Sequence, residues 1–103
     1  MRASLPLEVT RRAAREIREA SAWWDTNRPA APEAFREAIV KAFELITTQP
    51  KIGALAGNAR LAGVRRIHLS RVRYYLYYRI RRHPERVEVV ALWHTSRFPD
   101  PAS

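Results

Sequence analysis

The chain has no cysteine, which excludes a disulfide framework, a thiolate metal site and a cysteine nucleophile and fits a reducing compartment. Glycine is scarce: Gly53, Gly57 and Gly63 are the only three, and their spacing matches neither a phosphate-cradling P-loop nor a dinucleotide fingerprint. No apolar run approaches the ~20 residues that span a bilayer, and no apolar segment marks a secretory signal. The chain therefore reads as soluble and cytoplasmic, with no membrane role. Acidic residues are in short supply, 10 against 19 Lys plus Arg, a formal charge of +9. That imbalance argues for an anionic partner such as nucleic acid, an acidic protein or a membrane surface, and composition does not choose among them. His68, His83 and His94 show no ligand spacing and no acidic cluster supports them, so neither a metal nor another cofactor is expected. At 103 residues, 47% of them hydrophobic, the chain can build one core, and a single domain over residues 1–103 is expected.

What is present is concentrated in residues 71–82, RVRYYLYYRIRR. Side chains two apart share a face of a strand. One face is then Tyr74, Leu76, Tyr78 and Ile80, suited to a core. The other is Arg73, Tyr75, Tyr77, Arg79 and Arg81, basic and aromatic. Guanidiniums pair with phosphate or carboxylate and stack on flat rings, so that face suits a polyanion or an acidic peptide. A solubilising strand face is the competing reading, since Arg and Tyr are also good strand residues.

Upstream, Leu5, Leu7 and Val9 alternate into a short strand that Pro6 confines to an edge. Thr10 can cap the helix that follows to about Asn27. Its apolar stripe, Ala13, Ile17, Ala20 and Trp24, recurs at helical spacing. Trp23 and Trp24 cannot face the same way, so one belongs to the core and the other to the helix end or a partner's surface. Residues 27–32 break the chain, and Pro32 opens a second helix with Glu33 at the positive end of its dipole. That helix presents Phe35, Ala38, Ile39, Ala42, Phe43, Leu45 and Ile46, stops before Pro50, and should be the main helix on the sheet.

Periodicity vanishes over residues 50–63, a loop whose Lys51, Asn58 and Arg60 either clamp a ligand or simply connect. Val64 to Leu69 is a second strand with Ile67 and Leu69 on one face and Arg66 and His68 on the other. After a turn at residues 82–85, Arg86 to His94 forms the last strand, with Val87, Val89, Ala91 and Trp93 on one face and Val90 and Leu92 on the other. The order β-α-α-β-β-β gives an α+β fold, a helical hairpin packed on a small, largely antiparallel sheet whose other face is partly open.

Over residues 5–99 this succession resembles the RelE/ParE superfamily of type II toxins. The matching pieces are Pro32-Glu33-Ala34, Leu45 with Pro50 and Gly53, Gly63-Val64-Arg65-Arg66, residues 74–80, and His94-Thr95-Ser96-Arg97. The resemblance implies the toxin half of a toxin–antitoxin module, with one of two activities. RelE-like members are ribosome-dependent mRNA endonucleases, which need a base, cations for the developing charge and an acid. ParE-like members act on DNA gyrase and need binding surfaces. The nuclease motif in the central strand is Tyr-Arg-x-x-Tyr, whereas this chain has Tyr74-Tyr75-Leu76-Tyr77-Tyr78. Tyr75 thus replaces a phosphate-binding arginine, and one transition-state contact worth ~3 kcal/mol is missing.

Inhibition of DNA gyrase is therefore the expected action. The runner-up is a metal-independent mRNA interferase with His94 as acid and Arg65, Arg73, Arg79 and Arg97 on phosphate, although no acidic residue stands out as a base near His94. Outside the family, the alternative is a plain basic nucleic-acid-binding module. Target contacts are expected from Arg65, Arg66, His68, Tyr75, Tyr77 and Arg81. The resemblance also implies a cognate antitoxin with an acidic, partly disordered segment, for which Trp23, Trp24, Arg15 and Arg79 are the expected contacts, and oligomers formed mainly through the toxin–antitoxin complex.

Overall fold

The computed structural model describes residues 4–56 and 62–96. Asn58 and Arg60 of the central loop and Arg97 of the nuclease set lie outside them. The elements are β1 (Leu7–Val9), α1 (Arg11–Asn27), α2 (Ala34–Thr48), β2 (Ala54–Leu55), β3 (Val64–Leu69), β4 (Tyr74–Arg81) and β5 (Arg86–His94). They form a helical pair on a five-stranded sheet of order β1-β5-β4-β3-β2. β1 runs parallel to β5 and the remaining pairs are antiparallel.

The α+β class, the helical hairpin and the meander agree with the sequence reading. One strand was not foreseen: β2, only Ala54–Leu55, pairs with Arg65 and Arg66 inside what reads as a featureless loop. α2 starts at Ala34, with Glu33 rather than Pro32 at its boundary. The central strand starts at Tyr74, because the chain turns at residues 70–73 and Val72 drops into the core at 3% exposure. Arg73 closes that turn at φ 62°, its amide donating to the Leu69 carbonyl.

β1 lies at the edge, where the Pro6 carbonyl needs no amide of its own residue to accept from Val87 (2.9 Å). The strand ends because Thr10 starts α1: its hydroxyl accepts the Ala13 amide at 3.1 Å, and its own amide donates to the Val89 carbonyl. β5 continues past the end of β1, and the Leu92 amide there is satisfied instead by the Glu16 carboxylate from α1 (3.0 Å). A buried amide left without an acceptor is costly. The helix thus takes over from the missing edge strand. Thr10→Ala should lower stability by about 1 kcal/mol, read as a shifted urea midpoint at unchanged slope; an unshifted midpoint would show that water serves the helix end equally well.

The main core lies between the helices and the sheet. α1 contributes small residues, Ala13 and Ala20, that let it approach closely, and α2 contributes Phe35, Ile39, Ala42 and Ile46. Leu76 and Tyr78 of β4 and Val87, Val89 and Leu92 of β5 complete it. The alternation in β5 is broken by a bulge: Tyr77 stands opposite Ala91, but Tyr78 stands opposite Val89, leaving Val90 as the extra residue. Two successive residues then face the same way. Val87 and Val89 face the helices, and Ala91 and Trp93 face away, whereas uninterrupted alternation put all four together.

The sheet's other face carries a second, smaller core of Val64, Tyr77 and Ala91, flanked by half-buried Ala56, Tyr75, Val90 and Trp93. Tyr77 is 0% exposed. Its face was read correctly, but its exposure was not.

Candidate functional site

The outer face divides into an aromatic half and a charged half. In the first, the Arg66 guanidinium lies 4.3 Å from the centre of the Tyr75 ring, and the His68 ring, directly across the strand pair, lies tilted 5.2 Å from it. Trp93 is Tyr75's neighbour on β5, with Arg12 of α1 5.9 Å from its ring. Arg66, His68 and Tyr75 thus converge as the strand pattern implies. Tyr77 meets the Tyr75 ring edge-on at 6.3 Å but from the interior, because Val64 and Ala91 close around it.

In the second half Arg79 donates to Glu88 at 2.7 Å, and Arg81 reaches the same carboxylate at 3.7 Å. Glu88 shares this face because the bulge sets Arg79 opposite it. One anion between two cations leaves net positive charge, so these arginines form a partly neutralised pair rather than an open basic track. One more residue assigned to a binding face lies elsewhere. Arg65 faces the helix side, its Nη1 donating to the carbonyls of Gly53 (2.8 Å) and Lys51 (3.3 Å). Beside it the Tyr78 hydroxyl donates to the Pro50 carbonyl at 2.7 Å and accepts the Gly53 amide at 2.8 Å. Burial pushes the Tyr78 phenol above its usual pKa, against the opposing pull of the Gly53 amide and Arg65.

His94 stands opposite Tyr74 on the helix-side face, edge-on at 5.1 Å. The Ser96 amide donates to its Nδ1 at 3.2 Å, so Nδ1 is an acceptor and the neutral ring's proton is on Nε2. Around it the fold gathers residues from four segments. Trp23, Arg28, Arg71, Arg73 and His94 line a cavity of about 490 Å³. A neighbouring one of about 190 Å³ contains Glu16, Glu19, Trp23 and His94. Sequence reading places no carboxylate near His94; the helix brings two. Both are engaged, Glu16 by Arg12 (3.3 Å) and the Leu92 amide, and Glu19 by Arg15 (3.6 Å).

Of the nuclease set, His94 and Arg73 meet at one end of the sheet. Arg79 is on the opposite face and, counting five residues along β4 from Tyr74, roughly 17 Å away. Of the antitoxin set, Arg15 and Trp23 share one stripe of α1 with Glu19, and Trp23 is 46% exposed. Trp24 is enclosed, its indole donating to the Ala31 carbonyl at 2.7 Å. Arg28 and Arg71 were missed as site residues. Arg28 follows Trp23, over whose ring it lies, by five residues, a spacing that no helical rule singles out. Among the described residues no group of three His, Cys, Asp or Glu side chains could hold a metal ion, and no helix is long and apolar enough to cross a membrane.

Comparison with known proteins finds both a family and solved structures that this chain is similar to. A family model described as the ParE toxin of type II toxin–antitoxin system, parDE, matches residues 7–99. A solved structure described as the chromosomal ParDE TA system from P. aeruginosa superposes with a TM-score of 0.67 at 20% identity, covering 90% of this chain and 98% of that one. At that identity the likeness speaks for the fold. No curated protein matches.

Proposed function

The chain belongs to the ParE toxin family of type II toxin–antitoxin systems, and from that premise we propose that it inhibits DNA gyrase by protein–protein contact and is held inactive by a cognate antitoxin. The observation that carries the reading is Tyr75. Where the nucleases of the superfamily hold a phosphate-binding arginine, this chain has a phenol already in contact with Arg66 and His68. A phenol offers no cation to a pentacovalent phosphorane, and the remaining candidates are divided between the two faces of the sheet. What the outer face offers is a rigid aromatic and basic surface, Arg66, His68, Tyr75 and Trp93 with Arg81 at its margin, of the kind that anchors interfaces.

For the antitoxin, Arg15 and Trp23 supply a charged and an aromatic anchor on one exposed stripe of α1. An acidic, partly disordered segment that orders on binding suits such a surface. One arrangement favours the second reading, an mRNA interferase: Arg73, His94 and the carboxylates of Glu16 and Glu19 border neighbouring cavities.

Expression without antitoxin separates the two. We expect loss of supercoiling activity and trapped gyrase–DNA complexes, undiminished in His94→Ala, with ribosome-bound transcripts intact. Transcript cleavage that His94→Ala abolishes, with gyrase unaffected, would overturn the proposal.

A further inference from the structure

We propose that the cavity between Trp23, Arg28, Arg71, Arg73 and His94 is a carboxylate-recognition site that takes one acidic side chain of a partner polypeptide. Its volume of about 490 Å³ lies within the range of ligand-binding clefts. Among the described residues its charge is not fully cancelled. Glu37 pairs with Arg71 at 3.1 Å, while the Arg28 side chain lies over the Trp23 ring at 5.6 Å and, among the described residues, donates to the Asn27 carbonyl alone. The Arg73 side chain makes no hydrogen bond or ion pair among the described residues. His94 has Nδ1 occupied by Ser96, which leaves Nε2–H as the ring's donor.

The backbone supports the same assignment. Arg73 has φ 62°, a left-handed conformation that costs a side-chain-bearing residue free energy and persists only where the surroundings hold it. They do: its amide donates to Leu69 and its carbonyl accepts from Thr95 (3.0 Å). A turn built only for connection is served better by glycine. Here it presents an arginine to a cavity already bordered by two others.

The surroundings decide which anion fits. A nucleic-acid strand carries a charge at every step. Leaving this cavity in one direction it meets Glu37, and past Trp23 it meets Glu16 and Glu19. These carboxylates, each already paired with an arginine, interrupt the positive surface on two sides of the cavity, so a polyanionic backbone finds no continuous basic track there, whereas a peptide can place one acidic residue flanked by apolar or basic ones. The half-exposed Trp23 indole offers the flanking apolar residue a surface. This goes beyond gyrase inhibition and depends on the toxin reading only in expecting a polypeptide partner.

The test uses purified full-length protein and a library of short random peptides, with oligothymidylate as the nucleic-acid probe. Selected peptides should share one acidic position beside an apolar residue, and changing that acid to its amide should weaken binding about tenfold. Arg73→Gly should cause a loss of the same size without unfolding the protein, because glycine accepts the positive φ. The two changes together should cost no more than either alone, the signature of one contact. Arg82→Gly, in the exposed turn after β4 at the far end of that strand, should leave binding unchanged. Peptides that lack a fixed acid, that bind Arg73→Gly as tightly, or that oligothymidylate displaces in an Arg73-dependent way would overturn the assignment. Toxicity plays no part in the readout, so failure here is distinguishable from failure of the gyrase reading.

Discussion

Tyr77→Ala should lower the stability of this protein by about 3–5 kcal/mol, the usual cost of emptying a buried aromatic site. The residue lies on the face of β4 that no helix covers, where truncations are ordinarily mild. It is nevertheless 0% exposed, enclosed by Val64 and Ala91 and flanked by Tyr75 and Trp93. Those neighbours come from three strands. Losing the ring therefore loosens the outer face across the sheet. For a domain of this size the melting temperature should fall by on the order of 15–30 °C, a large share of the marginal stability of small domains. Tyr75→Ala, two residues away and only half-buried, should cost about 1 kcal/mol, through its contacts with Arg66 and His68. Comparable losses from the two variants in urea melts would show that the second core is no core.

Gly53→Ala is expected to be the most damaging single-methyl change, on the order of 2–4 kcal/mol. The reason is room rather than backbone freedom. A Cβ at this position would come within 2.7 Å of the Tyr78 hydroxyl and 2.9 Å of the Arg66 carbonyl. Neither can retreat, because Tyr78 is 0% exposed and the Arg66 carbonyl belongs to the backbone of β3. Segment 50–55 would have to lift from the sheet, giving up the hydrogen bonds from Tyr78 to Pro50, from Gly53 to Tyr78 and from Arg65 to Gly53. Tyr78→Phe removes two of these bonds but also removes the clashing oxygen, so alone it should cost about 1–3 kcal/mol. In the double variant the alanine should do less harm than it does alone, since part of the obstruction is gone. Denaturant melts of the four proteins measure this coupling. Strict additivity, or a neutral Gly53→Ala, would show that the clamp does not hold this segment.

Local pattern was enough to determine much of this protein. Alternation in residues 74–81 placed Leu76 and Tyr78 toward the helices and Tyr75 and Arg79 away from them, because pleating sends successive side chains to opposite faces. Helical spacing placed Ala13, Ala20 and Trp24 on one buried stripe, and Pro6 marked an edge. The ordered motifs carried the toxin family itself.

Tertiary structure decided what depends on partners distant in the chain. Alternation says which face a side chain is on, but only Val64 and Ala91 closing around Tyr77 make that position interior. Nothing in Val87-Glu88-Val89-Val90-Ala91 announces a bulge, yet the bulge puts Glu88 opposite Arg79 and turns an apparently free arginine into half of an ion pair. Ala54 and Leu55 are too few to show a period, and pair only because Tyr78 and Arg65 hold the segment before them against the sheet. The cluster of Trp23, Arg28, Arg71, Arg73 and His94 draws on a helix, its exit, a turn and a strand end. No one-dimensional pattern links those segments, because their proximity is set by how the hairpin lies on the sheet.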